Sequence, residues 1–298
     1  MQNFPFLFKF LVRLHNEFKV MIVKVNNICF SYGRTPVLRN ISFEVEQGEF
    51  VSLIGPNGSG KTTLLKILMR LLIPNKGEVL IYNRSLNSYS LKELAKIIGF
   101  VPQDNFFPFP YTVLETVLMG RNPYLKGIGF ESKEDIKIAL EAMELTNIKE
   151  LADKPVTSLS FGERQMVLIA RALAQQPKII LLDEPNAHLD ISHQIETFSL
   201  LKTLARERNT SIISVSHDLN LISSYSDKVI LLSKGQIHSI GKPDIVLTEE
   251  NIKNVYGADV LVDLNPATGK PRITLLPDKI RQFSDKLKIK KEINHERF

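Results

Sequence analysis

This chain of 298 residues reads as an α/β protein with a parallel sheet at its centre. Three stretches carry that expectation. Phe50-Val51-Ser52-Leu53-Ile54 is a short apolar run that ends in a glycine-rich turn, and an unbroken helical pattern follows from Thr62 to Leu72. Ile179-Ile180-Leu181-Leu182 and Ser211-Ile212-Ile213-Ser214-Val215 lack a polar face, as strands covered on both sides do. Residues 191–208, between those two runs, keep a helical pattern.

Composition narrows the class. Hydrophobic residues make up 44% of the chain, which excludes disorder and collagen-like repeats. The length allows one large α/β domain or two small ones. A net charge of +6 suits a nucleic acid, an anionic membrane surface or a phosphorylated ligand alike and decides nothing alone. Cys29 is the single cysteine and no Cys/His cluster has zinc spacing, so a reducing, cytoplasmic compartment is expected. No run reaches the roughly 18 apolar residues that a bilayer-spanning helix needs.

From the start of the chain, residues 1–20 are apolar but broken by Pro5, Lys9 and Arg13, and they lack the order of a signal peptide. A weak interfacial helix and a native start at Met21 both fit; the second is preferred because residues 21–33 already read as a first strand. Ile41, Phe43 and Val45 alternate with Ser42, Glu44 and Glu46, the pattern of a half-exposed antiparallel strand. From about Ser88 to Lys154 the character turns helical. Ser90-Leu91-Lys92-Glu93 is a capping box, and residues 132–152 keep helical periodicity with mixed charge. The apolar run Val229 to Leu232 precedes a turn at Lys234-Gly235. Beyond about Asp263 periodicity fades, and residues 279–298 are a charged tail expected to be solvated and frayed. The expected organisation is an extension over 1–20, a domain over 21–262 with a helical subdomain at about 88–154, and a C-terminal extension over 263–298.

Gly55-Pro56-Asn57-Gly58-Ser59-Gly60-Lys61-Thr62 fits G-x-x-x-x-G-K-[ST]. Glycines let successive N–H groups turn toward phosphate oxygens, and the helix that follows aims its electropositive N-terminus at the same anion. Lys61 would stand between the β- and γ-phosphates, and the Thr62 hydroxyl would ligate Mg2+. The bland alternative is a chance glycine turn, but this one follows an apolar strand and opens a helix, the context the motif requires. Asp183-Glu184-Pro185 then puts two acids at the end of a buried strand, where they need cationic partners. In the catalytic reading Asp183 holds the metal, directly or through water, and Glu184 faces an attacking water. Alone, the pair also fits a helix start; beside a phosphate loop the catalytic reading is preferred.

Further motifs follow in order. They are Val101-Pro102-Gln103-Asp104, Leu159-Ser160-Phe161-Gly162-Glu163-Arg164-Gln165, Leu189-Asp190 and Ser216-His217-Asp218. With the phosphate loop and Asp183-Glu184-Pro185, the chain resembles the ATP-binding subunits of ABC transporters over about residues 21–262. In that family the four further motifs are the glutamine loop, the signature sequence, the D-loop and the switch histidine. The resemblance implies a P-loop NTPase core of RecA-like type with an antiparallel β subdomain and an inserted α-helical subdomain. It implies ATP and Mg2+ as ligands. Tyr32 would stack on adenine, although a plain turn aromatic also fits that position. Gly55, Asn57, Gly58, Ser59, Gly60, Lys61, Thr62 and Thr63 would surround the phosphates, and Thr62, Gln103 and Asp183 would serve the metal. Glu184 would polarise the attacking water, His217 would contact the γ-phosphate, and Gln103 would report occupancy to the helical insertion. Ser160 and the N–H of Gly162 would bind the γ-phosphate held by a second copy, and Asp190 counts with the nucleotide-binding set. The implied assembly is a head-to-tail homodimer around two ATP molecules.

The family usually has glycine where this chain has Phe161. That side chain is tolerable if it points away from the nucleotide and the backbone keeps φ below zero, and it bears on how tightly the closed dimer forms. Glu163 replaces the commoner glutamine, a mild change. Asn186 replaces a frequent threonine. His188, His193 and His238 match no motif and are given no role.

Thr112 to Pro123, Val246 to Glu250 and Val255-Tyr256-Gly257 resemble subunits that serve iron-siderophore, haem and vitamin B12 importers; molybdate or tungstate importers share these features. The resemblance therefore implies integral-membrane permease partners, a substrate-binding protein reached indirectly, no nucleic acid, and a place on the cytoplasmic face of the cell membrane. The aromatic loop Phe106-Phe107-Pro108-Phe109-Pro110 fits either a groove for a permease coupling helix or internal packing on the insertion. A soluble ABC ATPase acting on DNA or ribosomes would carry a long coiled-coil insertion or fused nucleotide domains, and neither is present. A GTPase would need an Asn-Lys-x-Asp motif, which is also absent.

Overall fold

A computed structural model describes residues 20–125, 130–187 and 189–276. The expectations for residues 1–19, for His188 and for the tail over 279–298 lie outside the described residues.

Alternation builds the first layer. In β1 (Met21–Tyr32) and β2 (Thr35–Glu46), Val25 lies opposite Phe43 and Val23 opposite Val45 in an antiparallel ladder. Ile41, Phe43 and Val45 are buried as their spacing predicts. β4 (Lys76–Ile81) pairs with the other side of β1, and the two-residue β5 (Arg84–Ser85) closes the sheet in the order β2-β1-β4-β5.

The second layer is a six-stranded sheet. It contains β3 (Phe50–Ile54), β6 (Ile98–Val101), β7 (Ile179–Asp183), β8 (Ser211–Val215), β9 (Lys228–Ser233) and β10 (Gln236–Gly241), in the order β10-β9-β3-β8-β7-β6. Only β10 runs antiparallel, through the Lys234-Gly235 turn, whose φ angles are +48° and +77°. Every residue of β3, β7 and β8 is buried because both faces are covered. Side chains alternate between two cores. Val51, Leu53, Leu181 and Val215 pack with the antiparallel sheet and with α1 (Lys61–Leu68). Phe50, Ile180, Leu182 and Ile212 pack with α5 (Phe161–Ala174) and α6 (Ile191–Arg208), where the Phe50 and Phe198 rings stack at 6.0 Å.

Three elements depart from expectation. α1 stops at Leu68, short of Leu72, because Arg70 takes φ +57° and closes a Schellman turn. Leu71 N–H donates to Lys66 O at 2.8 Å and Arg70 N–H to Ile67 O at 2.9 Å. The Arg70 guanidinium donates to the Tyr89 carbonyl, which compensates for a non-glycine residue at that position. Next, the stretch expected to be helical from about 88 to 154 contains a strand of the main sheet. β6 follows α2 (Leu91–Ile97) directly and pairs with β7, Val101 opposite Leu182. Four residues with no polar alternation are too short to show a period. Finally, the chain beyond Asp263 stays ordered to β12. β11 (Val260–Leu264) and β12 (Pro271–Leu275) form a hairpin clamped to α7 (Leu219–Tyr225) by Asn220. The Asn220 amide donates to Ile273 O at 3.1 Å and accepts from Ile273 N–H at 2.8 Å.

The expected capping box of Ser90 with Glu93 opens α2, and a further one that the sequence reading did not name, Ser132 with Asp135, opens α4 (Lys133–Leu145). α4 and α3 (Val113–Leu118) pack on α5 to form the helical lobe, and a buried Arg121–Asp135 pair at 2.8 Å ties α4 to the end of α5 through the Ala174 carbonyl. α8 (Pro243–Val246) and α9 (Glu249–Tyr256) cover the far end of β9 and β3.

Candidate active site

Parallel strands end together, so the loops after them converge. Here four neighbouring strands, β3, β8, β7 and β6, deliver the phosphate loop, His217, Asp183 with Glu184, and Gln103 to one place.

The phosphate loop is tight by construction. Gly55 has φ +146°, and a Cβ there would lie 2.2 Å from Leu232 O. Gly60 has φ +104°, and its Cβ would meet Leu38 at 2.5 Å. α1 starts at once with Lys61, which is buried. Its ammonium donates to the loop's own carbonyls, Gly55 O at 2.7 Å and Pro56 O at 3.0 Å. Burial lowers the Lys61 pKa, and the charges of Glu184 and Asp183 act against that shift. Asn57, Gly58 and Thr62 are exposed; Gly55, Ser59, Gly60 and Thr63 are buried. The Ser59 hydroxyl is buried with no partner, an orphaned group pointing to a ligand-bound state. Behind the loop, α9 packs Tyr256 against the cluster that contains Ile54, and burial pushes its phenol up to about 12.

Asp183 ends β7. Burial raises its pKa and the neighbouring Glu184 adds to the rise, while the Thr62 hydroxyl, Lys61 and Lys66 pull it back. Thr62 Oγ1 donates to Asp183 Oδ1 at 3.5 Å. Glu184 takes φ +51°, an uncommon conformation for a side-chain-bearing residue. Both oxygens of its carboxylate are occupied. Gln103 Nε2 donates to Oε2 at 2.9 Å, and His217 Nε2 lies 2.7 Å from Oε1. A turn over 185–187 follows and α6 starts only at Ile191, so the helix-start reading of the two acids falls away.

A second cluster sits at the start of α5. Ser160 and Glu163 form a reciprocal capping box, with Ser160 N–H to Glu163 Oε2 at 2.7 Å and Glu163 N–H to Ser160 Oγ at 3.3 Å. Those bonds hold the Glu163 carboxyl below its usual range. This is the physical sense of a glutamate at that position. Phe161 occupies the first turn of α5 with negative φ and is 36% exposed, and its carbonyl accepts from Asn105 Nδ2 at 3.5 Å. Gly162 is buried beside His193, and Asp190 caps α6. Tyr32 ends β1 half exposed, edge-on to Phe30 at 4.9 Å.

The structure thus gathers Lys61, Thr62, Gln103, Asp183, Glu184 and His217 into one site, and it sets Ser160, Gly162 and Asp190 in another. Sequence reasoning passed over Asn186, which accepts from Ser216 Oγ at 3.1 Å and links the loops after β7 and β8. It also passed over Asn105 and His193, because lone polar residues carry no periodic signal.

A family profile described as "ABC transporter" matches residues 38–187. The chain belongs to the ABC transporter ATP-binding family. It is 41% identical over 258 residues to the ABC transporter ATP-binding protein YvrA of Bacillus subtilis, covering 86% of this chain but only 58% of that one. It is 39% identical over 249 residues to the ferric enterobactin transport ATP-binding protein FepC of Escherichia coli K12, covering 84% of this chain and 92% of that one. A solved metal-chelate type ABC transporter in an inward-facing conformation superposes with a TM-score of 0.77 at 31% identity, covering 87% of this chain and 99% of that one. The domain is the family's ATP-binding ATPase domain. Among the described residues no helix is long and apolar enough to cross a membrane.

Proposed function

We propose that this chain is the ATP-hydrolysing subunit of an importer for a metal chelate of the iron-siderophore, haem or cobalamin type, acting as a homodimer beneath a membrane permease. The observation that carries hydrolysis is the bracketing of Glu184 by Gln103 and His217 beside the phosphate loop. In this reading Lys61 leaves the Gly55 and Pro56 carbonyls for the β- and γ-phosphates. The loop N–H groups and the Ser59 hydroxyl donate to the phosphate oxygens. Gln103 fixes the Glu184 carboxylate, His217 releases its other oxygen and turns to the γ-phosphate as it arrives, and the freed oxygen orients water for in-line attack and takes its proton. The oxygen donors Thr62 and Asp183 suit Mg2+, and the raised pKa of Asp183 is that of a carboxyl short of positive charge. Bound there, Mg2+ would neutralise phosphate charge.

Ser160 and Gly162 stand in their own cluster at the N-terminus of a 14-residue helix, which supports their assignment to the partner's γ-phosphate. Phe107 packs into the helical core, while Phe106 is 74% and Phe109 59% exposed. The two readings of that loop therefore divide between its members. Next to α2 and β6 lies a groove of about 410 Å³ of mixed lining, with Leu91, Leu94, Phe100 and Met119 beside Arg171 and Gln175, which suits an amphipathic permease helix. The cargo class rests on the names of the relatives.

The deciding experiment is Glu184→Gln. It is expected to trap a nucleotide-bound dimer and to abolish turnover. A Glu184→Gln chain that stays monomeric with Mg-ATP and hydrolyses normally would overturn the proposal.

A further inference from the structure

His193 lies three residues into α6, outside every motif, yet it touches two of them. A Cβ built on Gly162 would lie 2.5 Å from His193 Cδ2 and 2.7 Å from both Cγ and Nε2. Real Cβ atoms do not approach so closely, so the imidazole occupies the space that any other residue at 162 would fill. One side-chain contact restrains the ring. Its Nδ1 lies 2.9 Å from Asp190 Oδ1, and the same oxygen accepts the His193 backbone N–H at 2.9 Å to cap α6. One turn further along α6, Glu196 Oε1 accepts from Asn147 Nδ2 at 3.1 Å, a second tie between α6 and the helical lobe. The start of α6 is thus fastened to the turn that begins α5.

We propose that His193 is a positioning residue that fixes the Ser160–Gly162 turn to Asp190 within one protomer, so that the two loops meet the second copy as one unit. On this account residue 162 is glycine to admit the ring as well as to bare an N–H to phosphate. The proposal rests on the reading that Ser160 and Gly162 complete the partner's nucleotide site. His193 itself touches no part of the phosphate loop, and its effect passes through Gly162 and Asp190.

The test has a monomer arm and a dimer arm. In the nucleotide-free monomer, Asp190→Ser keeps a capping hydroxyl but is too short to hold the imidazole. It should move the Gly162 amide resonance in the otherwise native chain and leave it in place in His193→Ala. An equal shift with and without His193 overturns the link. In the dimer arm, the Glu184→Gln chain carries His193→Ala, and ATP-driven dimerisation is measured by analytical ultracentrifugation. The dimer should weaken about tenfold, with monomer ATP affinity unchanged and the melting temperature lowered only as far as one lost hydrogen bond within the protomer lowers it. His193→Asn, which keeps a donor at the Nδ1 position, should recover most of the loss. A parallel fall in ATP affinity, or no recovery with Asn, overturns the positioning role. Gly162→Ala should cost less dimer affinity in the His193→Ala chain than in the native one; full additivity counts against the ring as the reason for glycine. If Glu184→Gln alone never dimerises, the transport reading fails, while the monomer spectra still decide the His193 link.

Discussion

His217 Nε2 lies 2.7 Å from Glu184 Oε1, and this contact joins the loops after two adjacent strands, β8 and β7. Glu184 is thereby held before any phosphate arrives, with Gln103 on its other oxygen. Glu184 is thus aligned when ATP enters, and His217 is then placed to meet the charge that develops on the γ-phosphate while Gln103 keeps the base in line. His217→Ala should therefore lower kcat about a hundredfold or more while leaving monomer ATP affinity within about threefold. Stopped-flow phosphate release and a fluorescent nucleotide titration separate the two. A large loss of affinity with little change in kcat would instead make His217 a binding residue.

Ser59 gives a prediction with opposite signs in two assays. Its hydroxyl is buried without a partner, which destabilises the ligand-free fold by about 1 kcal/mol or more. Ser59→Ala removes that penalty. The ligand-free protein should melt at a higher temperature, and ATP affinity should fall because a phosphate contact is lost. A lower melting temperature would show that the hydroxyl already has a partner.

Much of this was legible in the sequence, and particular residues show where legibility ended. The strand–loop–helix at Phe50–Leu68 was readable because glycines and Lys61 are spaced by the chemistry of a phosphate. The capping box at Ser90 was readable because its bonds are local, three residues apart. β6 was not, since its place is fixed by pairing with Ile179–Leu182, nearly a lobe away in sequence. The hairpin at 260–275 was not, since only Val260, Val262 and Ile273 face the core and Asn220, 40 or more residues earlier, sets its place. His193 was not, since its meaning depends on the empty side of Gly162.

Asp183 gives a pH dependence. Its folded pKa is raised above the ordinary 3.8 by burial first and Glu184 next. For an acid with a raised folded pKa, the unfolded chain gives up its proton first. The cost to stability is absent below the unfolded value, grows as pH rises through the interval up to the folded one, and is full above it. Asp183→Asn should raise the melting temperature of the ligand-free protein at pH 7, and the gain should shrink as pH falls through the raised folded value and be gone below about 4. The same change should abolish Mg-dependent turnover. Equal melting curves for the two chains at pH 7 would mean that Asp183 already has its countercharge.

The helical lobe has the opposite titration. Asp135 is pulled down to about 2, chiefly by the Ser132 hydroxyl and then by Arg121, whose guanidinium also donates to Ala174 O at 2.8 Å. A depressed folded pKa contributes stability that is whole above the ordinary 3.8 and drains away as pH falls through about 2. Arg121 is 4% exposed, so Arg121→Ala leaves the Asp135 carboxylate in the interior without its cation. The expected cost is about 3–5 kcal/mol, the range for breaking a buried pair from one side. Chemical denaturation at pH 7 measures it, and the difference between Arg121→Ala and the native chain should narrow in acid as Asp135 takes up a proton in both. Because Arg121 joins α4 to α5, whose first turn carries Ser160, the variant should also lose ATP-driven dimerisation at temperatures where monomer ATP binding persists. A variant that dimerises normally while losing several kcal/mol would confine the pair to a structural part.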